Sequence, residues 1–189
     1  MRIKSRWNKR ATPKSLTEIA KALSYICWQI ASNGVLEIEN QGYITDTNAH
    51  RLELVGEYLA FLLHVTDRIS HAKMQQVERQ AFISDLANTM VNTFVDNKQD
   101  LLGKGEYRSE FIFFLNQRSN EYAEFDFAYD KPGFHFLRHF GEKIAVVLKG
   151  ERWATEYIME IGGIEAAANL KKGLQGLFDQ QQVSQMESK

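Results

Sequence analysis

Residues 47–71, TNAHRLELVGEYLAFLLHVTDRISH, decide the fold of this chain. Plotted as a helix, at about 100° per residue, the segment is apolar around most of its circumference and polar only in a band roughly 80° wide. A helix that is apolar on nearly all sides is typical of the centre of a bundle. The polar band, which we call the seam, contains Glu53, Glu57, Ala60, His64, Asp67 and His71.

A second helix follows the central one. Four apolar residues recur at steps of four within 82–94, which predicts a helix over about 75–100. No glycine or proline occurs from 57 to 102, but an unbroken helix of that length would measure about 69 Å. A compact chain of this size has a diameter of about 40 Å, so we expect a break in the polar window 70–76.

The first helix is expected to begin near residues 13–16, where a capping box joins Ser15 to Glu18. We expect it to end at Asn33-Gly34, since glycine commonly follows the last helical residue. Residues 35–45 alternate between apolar and polar side chains. They predict one small hairpin or an extended loop.

Glycine and proline turns divide the remainder of the chain. They predict helices near 106–126, 131–149, 151–161 and 164–179. No internal repeat and no long linker interrupts this series. The sequence therefore predicts an all-α fold in which 1–189 form a single domain, a bundle of about six or seven helices.

The N-terminal arm and the rest of the chain differ in charge. The first seventeen residues carry six basic and no acidic side chains, so the rest of the chain holds a net charge of −7 within a total of −1. We expect the N-terminal arm, 1–12, to be a solvated terminus. The alternative is a short segment that binds weakly to an anionic membrane surface, to nucleic acid or to the acidic body of a neighbouring subunit. The polar segment 180–189 predicts a disordered tail.

Composition excludes several classes of protein. With 189 residues, 44% hydrophobic and 25% charged, the chain fits one globular domain. A near-zero net charge and a mean hydropathy of −0.37 argue against a basic nucleic-acid binder and against a transmembrane protein. The single cysteine, Cys27, excludes a disulfide framework, so a cytoplasmic location is expected. Phosphate-binding loops and the G-x-S-x-G nucleophile motif are also absent.

The seam has three interpretations. The first, which we expect, is that it faces water, since a central helix of a small bundle still meets solvent along one line. The second is an internal polar network. The third is a metal or acid–base site, in which His64, Asp67 and His71 bind a divalent cation and Glu57 is a ligand or general base. Neither E-x-x-H on two helices nor H-E-x-x-H is present, so no cofactor is predicted and a divalent metal is the alternative.

Two further histidines, His135 and His139, are four residues apart and share a helix face. This spacing suits two imidazoles that bind one ion. No carboxylates stand at matching spacing, so we interpret the pair as partly exposed helix histidines beside an aromatic core.

Half of the aromatic residues, eleven of twenty-two, lie within 107–140. Because each aromatic side chain buries about 150–250 Å², this region is expected to form core or a subunit interface, with an apolar ligand cavity as the alternative. Arg118 lies seven residues after Phe111 and four before Tyr122, so its stem follows the same apolar stripe. A buried Arg118 head would need a carboxylate, and Glu57 or Asp67 is the expected partner. The candidate ligand or interface residues here are Phe111, Phe114, Arg118 and Tyr122.

These observations favour a non-catalytic cytoplasmic interaction or regulatory protein that forms a homodimer or binds another protein. The apolar surface of the helix over 52–69 and the aromatic surplus exceed what one small bundle easily covers. The alternatives are a metal-dependent enzyme that uses the seam and a carrier of an apolar ligand in 107–140. No basic helix with interleaved aromatic residues follows residue 14, so specific nucleic-acid binding is not expected.

Overall fold

The computed structural model describes the backbone of residues 14–150 and 152–187, and the side chains up to 179. It is a helical bundle, which confirms the predicted all-α fold. The N-terminal arm predicted for 1–12 lies outside the described residues. The elements in chain order are α1 (Leu16–Asn40), α2 (Asn48–His71), α3 (Gln76–Leu102), α4 (Tyr107–Ala123), β1 (Phe127–Ala128), β2 (Lys131–Pro132), α5 (Phe134–Val147), α6 (Arg152–Tyr157), a π-helical turn (Ile158–Gly162) and α7 (Gly163–Glu187).

Side chains cap the first two helices, and the cap of the first is the one that the sequence predicts. The Ser15 hydroxyl accepts a hydrogen bond from the backbone N–H of Glu18, whose carboxylate accepts one from the Ser15 N–H, so the capping box is formed. The Thr47 hydroxyl accepts a hydrogen bond from the His50 N–H and begins α2. None of the helices among the described residues is both long and apolar enough to cross a bilayer.

Helix α2 is the centre of the bundle. Helices α1, α3, α4, α5 and α7 all pack against it, and every residue from Leu54 to Thr66 is buried. Its apolar circumference is therefore covered within the chain itself. The apolar surface over 52–69, one of the reasons to expect a dimer, therefore needs no second subunit to cover it.

Helix α1 does not end at Asn33-Gly34 but continues to Asn40, so the hairpin or loop expected over 35–45 is wrong for its first half. Val35 and Ile38 extend the buried stripe of the helix. A Cβ at Gly34 would lie 2.5 Å from Cζ of Tyr58. This glycine therefore provides space for a tyrosine of α2 instead of ending a helix.

The helix break expected at Gly162-Gly163 is also absent, because α6, the π-helical turn and α7 follow one another without interruption. A Cβ at Gly163 would lie 2.9 Å from Cδ2 of Leu137, so this glycine allows α5 to approach closely. Helix α7 extends to Glu187, eight residues past the expected end. The helical backbone thus includes most of the segment 180–189 for which we expected a disordered tail.

The two strands lie elsewhere, in a small antiparallel hairpin that pairs Phe127 with Pro132. Its turn residues Tyr129 and Asp130 have φ angles of 55° and 57°. Left-handed residues at both turn positions suit a tight hairpin, and Asn-Gly or Asp-Gly is the usual signal for one. Tyr-Asp lacks that signal, so the hairpin is not visible in the sequence pattern.

Candidate functional site

The seam of α2 is exposed at its ends and buried in its middle. Glu53 and His71 are exposed, whereas Glu57 and His64 are only 3% and 7% accessible. Helices α4 and α5 cover the middle of the seam, and the His64 ring lies 5.7 Å from that of Tyr122, centroid to centroid. The expectation that the seam faces water is therefore wrong for its central residues. The structure instead agrees with the second interpretation, since these residues belong to an internal polar network.

The core of this network is an ion pair between α2 and α4. Nη2 and Nε of Arg118 donate to the two carboxylate oxygens of Glu57 at 2.6 and 2.8 Å. Both side chains are nearly inaccessible, at 4% for Glu57 and 13% for Arg118. The guanidinium also lies 4.9 Å from the ring centre of Phe114. Arg118 thus has the buried carboxylate partner that its position on the apolar stripe requires, and that partner is Glu57.

Glu121 extends the network from α4 to α5. Its carboxylate lies 3.1 Å from Nη1 of Arg118, 3.0 Å from Nε2 of His139 and 3.1 Å from Nζ of Lys143. Burial raises the pKa of Glu121, but hydrogen bonds from Lys143 and His139 and the charge of Arg118 outweigh it, so the pKa is lowered. We call Glu57, Arg118, Glu121, His139 and Lys143 the ion-pair network.

The ion-pair network is balanced in charge. Glu57 and Glu121 oppose Arg118 and Lys143, and both carboxylates are engaged by cations. Burial lowers the pKa of Arg118, but the hydrogen bond and charge of Glu57 raise it by more, so the guanidinium stays charged. Such an arrangement links the three helices α2, α4 and α5 and leaves neither carboxylate as a free general base.

His64 is held as a neutral imidazole. Its Nε2 accepts a hydrogen bond from Nε of Arg68 at 3.2 Å, and the same guanidinium donates to the backbone carbonyls of Ala123 and Phe125. Burial first, and then the charge of Arg68, lower the pKa of His64 to about 4. The side chain is therefore uncharged at neutral pH, and it anchors the end of α4 through Arg68.

The predicted metal ligands are not gathered around one point. Glu57 binds Arg118 and His64 binds Arg68, while the carboxylate of Asp67 lies 3.2 Å from Nη1 of Arg79. His71 is exposed at the end of α2. Among the residues whose side chains the structure describes, no group of three or more His, Cys, Asp or Glu is placed to hold a metal ion. The divalent metal stays an alternative hypothesis with no assembled ligand set in this part of the chain.

His135 and His139 do not act as a pair. His135 is exposed, and its ring lies against that of Phe134 at 5.3 Å. His139 turns inward to Glu121 and lies 5.3 Å from the ring of Tyr122. The second partner on α5, Lys143, is not among the residues that the sequence singles out. Its position four residues after His139 is the signal that could have found it.

Many of the aromatic residues of 107–140 pack on other aromatic rings. Phe111 stacks on Phe94 with ring centres 3.7 Å apart, and Tyr122 stacks on Phe136 at 4.7 Å. Of the four candidate ligand or interface residues, Phe111 and Tyr122 are buried and Arg118 lies in the ion-pair network. Phe114 is half-buried between Phe111 and that guanidinium. An apolar ligand in this region stays a prediction.

No protein-family model, no curated protein and no solved structure matches this chain.

Removal of Arg118 should strongly destabilise the fold. Arg118→Met leaves the Glu57 carboxylate buried without a cation, which costs about 3–5 kcal/mol of unfolding free energy. The double variant Glu57→Leu/Arg118→Met removes both charges and should recover more than half of that loss. Urea unfolding of the two variants measures both values.

Arg51→Met is the matched control for this experiment, because its ion pair with Glu39 is 51% exposed on the arginine side. It should change the unfolding free energy by less than about 1 kcal/mol. A double variant no more stable than Arg118→Met would contradict the role of the pair.

Stability should fall in acid because His64 must bind a proton when the chain unfolds. Its pKa is about 4 in the folded protein, whereas the ordinary value of 6.5 applies to the unfolded chain. The unfolded state therefore binds more protons than the folded state between these two pH values. The contribution of the neutral His64 to the free energy of unfolding is complete above pH 6.5. It decreases by up to about 1.4 kcal/mol per pH unit toward pH 4.

Denaturation at a series of pH values checks this expectation. His64→Gln should reduce the slope over this pH window, whereas His135→Gln, at an exposed position, should leave it unchanged. Equal slopes for His64→Gln and the unmodified protein would show that His64 is not buried as a neutral group.

Proposed function

We propose that this protein acts by binding protein instead of by catalysis, and that its partner is a second copy of the same chain. Two kinds of observation support this proposal. The charged groups inside the bundle are engaged with one another, as a structural role requires. The outer face of α5 carries a self-complementary row of exposed side chains, and this row is the observation on which the proposal rests.

The row consists of Phe134, Arg138, Glu142 and Val146, which follow one another at steps of four along α5. Phe134 and Val146 are 61% and 73% exposed, and the side chains of Arg138 and Glu142 are 55% and 50% exposed. Residues four apart form one of the ridges by which helices pack. The row therefore presents an apolar group at each end and one charge of each sign between them.

This order suits a two-fold symmetric contact. When two copies of α5 lie antiparallel, with the axis midway between positions 138 and 142, Arg138 of each copy faces Glu142 of the other. Phe134 of each copy then faces Val146 of the other. A two-fold interface requires such self-complementarity, since the same surface serves both subunits. In the single chain Nε of Arg138 lies 2.8 Å from Glu142, and the contact would let each group bind a second partner.

Neighbouring side chains can enlarge the contact. A stable interface buries about 800 Å² on each partner, which is more than one line along a helix of about 21 Å provides. Helix α6 and the π-helical turn pack against α5. They present Trp153, which is 70% exposed, and Ile161, which is 47% exposed. Exposed tryptophan is strongly enriched among the residues that dominate binding energy at interfaces.

Charge reversal tests the antiparallel contact directly. Arg138→Glu and Glu142→Arg each place like charges opposite one another, so each should weaken dimerisation by about tenfold or more. The double variant Arg138→Glu/Glu142→Arg restores opposite charges and should recover the dimer. Sedimentation velocity over micromolar concentrations measures the dissociation constant of each protein.

Lys172→Glu is the control, since it reverses an exposed charge on α7 outside the row. It should leave dimerisation unchanged. A monomer of 21.8 kDa at all concentrations would contradict self-association. Single reversals that leave the dissociation constant unchanged would contradict the α5 contact.

A further inference from the structure

A cleft of about 230 Å³ lies between α1 and α7, away from the ion-pair network. Two tyrosines contribute to its wall, Tyr58 from α2 and Tyr157 from the end of α6. Sites for drug-sized ligands measure roughly 300–1,000 Å³, so this cleft suits a smaller molecule. None of the four residues of the α5 row lines it, and the cleft is thus a separate feature from the surface proposed for self-association.

The cleft lies between the antiparallel helices α1 and α7, and it has an acidic end and an apolar end. At one end, Glu37 of α1 and Glu165 of α7 both lie close enough to Tyr157 for their charges to act on its hydroxyl. Toward the other end, Ile26 lies 3.0 Å from where a Cβ on Gly173 would be. Ile26 and Ile30 form that apolar end, and side-chain amides lie between the two.

Two glycines allow the tyrosines to reach the cleft. A Cβ at Gly34 would lie 2.5 Å from Cζ of Tyr58, and a Cβ at Gly162 would lie 2.9 Å from Cε1 of Tyr157. Both glycines line the cleft. Gly162 also ends the π-helical turn, and π-helical turns occur frequently at functional sites.

The Tyr58 hydroxyl is a buried polar group in the wall of the cleft. The side chain is 1% exposed, and its oxygen has no hydrogen-bond partner among the described protein atoms. Burial, and then the hydroxyl of Tyr157 and the charge of Glu165, raise the pKa of Tyr58. The hydroxyl lies beside Gly34, another residue of the wall, where a Cβ would be 2.8 Å from its oxygen. A buried polar group without a partner is costly, and a ligand that bonds to it would remove that cost.

The charged side chains that line the cleft indicate the charge of its ligand. Among the described residues that line the cleft, two are carboxylates and none is Lys, Arg or His. An ammonium group offers three N–H donors and no acceptor, which matches two carboxylates and a phenol oxygen, and a tyrosine ring attracts a cation at its face. We propose that the cleft binds a small organic amine, with its ammonium between Glu37 and Glu165 and its apolar part along Ile26 and Ile30.

Titration calorimetry of the full chain with n-hexylammonium chloride, at pH 7 and low salt, tests this proposal. The unmodified protein should bind the amine saturably, and Glu37→Gln/Glu165→Gln should bind it at least about tenfold more weakly. Both positions are exposed, so the variant keeps its fold. The control Glu53→Gln/Glu124→Gln removes two exposed carboxylates outside the cleft and should bind as the unmodified protein does.

Two further measurements locate the ligand. n-Hexanol has the same apolar part without the charge and should bind at least about tenfold more weakly than the amine. Tyr58→Phe removes only the unpartnered hydroxyl, so the fold should persist while the amine binds less tightly. Three results would overturn the proposal: no saturable binding of the amine, equal binding of hexanol, or unchanged affinity in Tyr58→Phe or in Glu37→Gln/Glu165→Gln.

Discussion

A carboxylate in the middle of an apolar helix constrains this structure more than any other group. Glu57 lies within a run of thirteen buried residues of α2, and a buried charge is stable only beside a well-placed opposite charge. Helix α4 must therefore cross α2 where Arg118 can form both of its hydrogen bonds. Glu121, three residues further along α4, then joins α5 through Lys143 and His139.

Glycine has a similar influence at two other contacts between helices. Gly34 and Gly163 lie where neighbouring helices approach so closely that a methyl group would overlap a side chain of α2 or α5. In each case the nearest side chain, Tyr58 or Leu137, belongs to the buried core. Glycine in the middle of a helix costs roughly 1 kcal/mol relative to alanine, and close packing of the helices offsets this cost.

The sequence predicts much of this fold and less of the site. Periodicity identifies α2 as the central helix, and the position of Arg118 on an apolar stripe indicates its need for a carboxylate such as Glu57. Periodicity states which residues share a face but not what covers that face. The covering helices α4 and α5 come from distant parts of the chain, so the burial of Glu57 and His64 could not be predicted from α2 alone.

The helix ends that the sequence wrongly predicts at glycine also result from contacts between distant parts of the chain. Asn33-Gly34 and Gly162-Gly163 carry the local signal of a helix end, but tertiary packing uses them inside continuous helices. The hairpin at Phe127–Pro132 shows the converse case, in which Tyr129 and Asp130 adopt a turn conformation without the usual turn residues. Local signals fail at these positions because the decisive contacts lie far away in sequence.

Helix α2 is buried along residues 54–66 and tied to α4 through the ion pair of Glu57. Hydrogen exchange of the native protein, read by NMR at single amides, tests this burial most directly. We expect the amides of residues 58–66 to be the slowest in the chain and to exchange only through global unfolding, with an opening free energy equal to that from urea unfolding. Exchange of these amides through local opening, as fast as at the exposed ends of α2, would contradict a buried central helix.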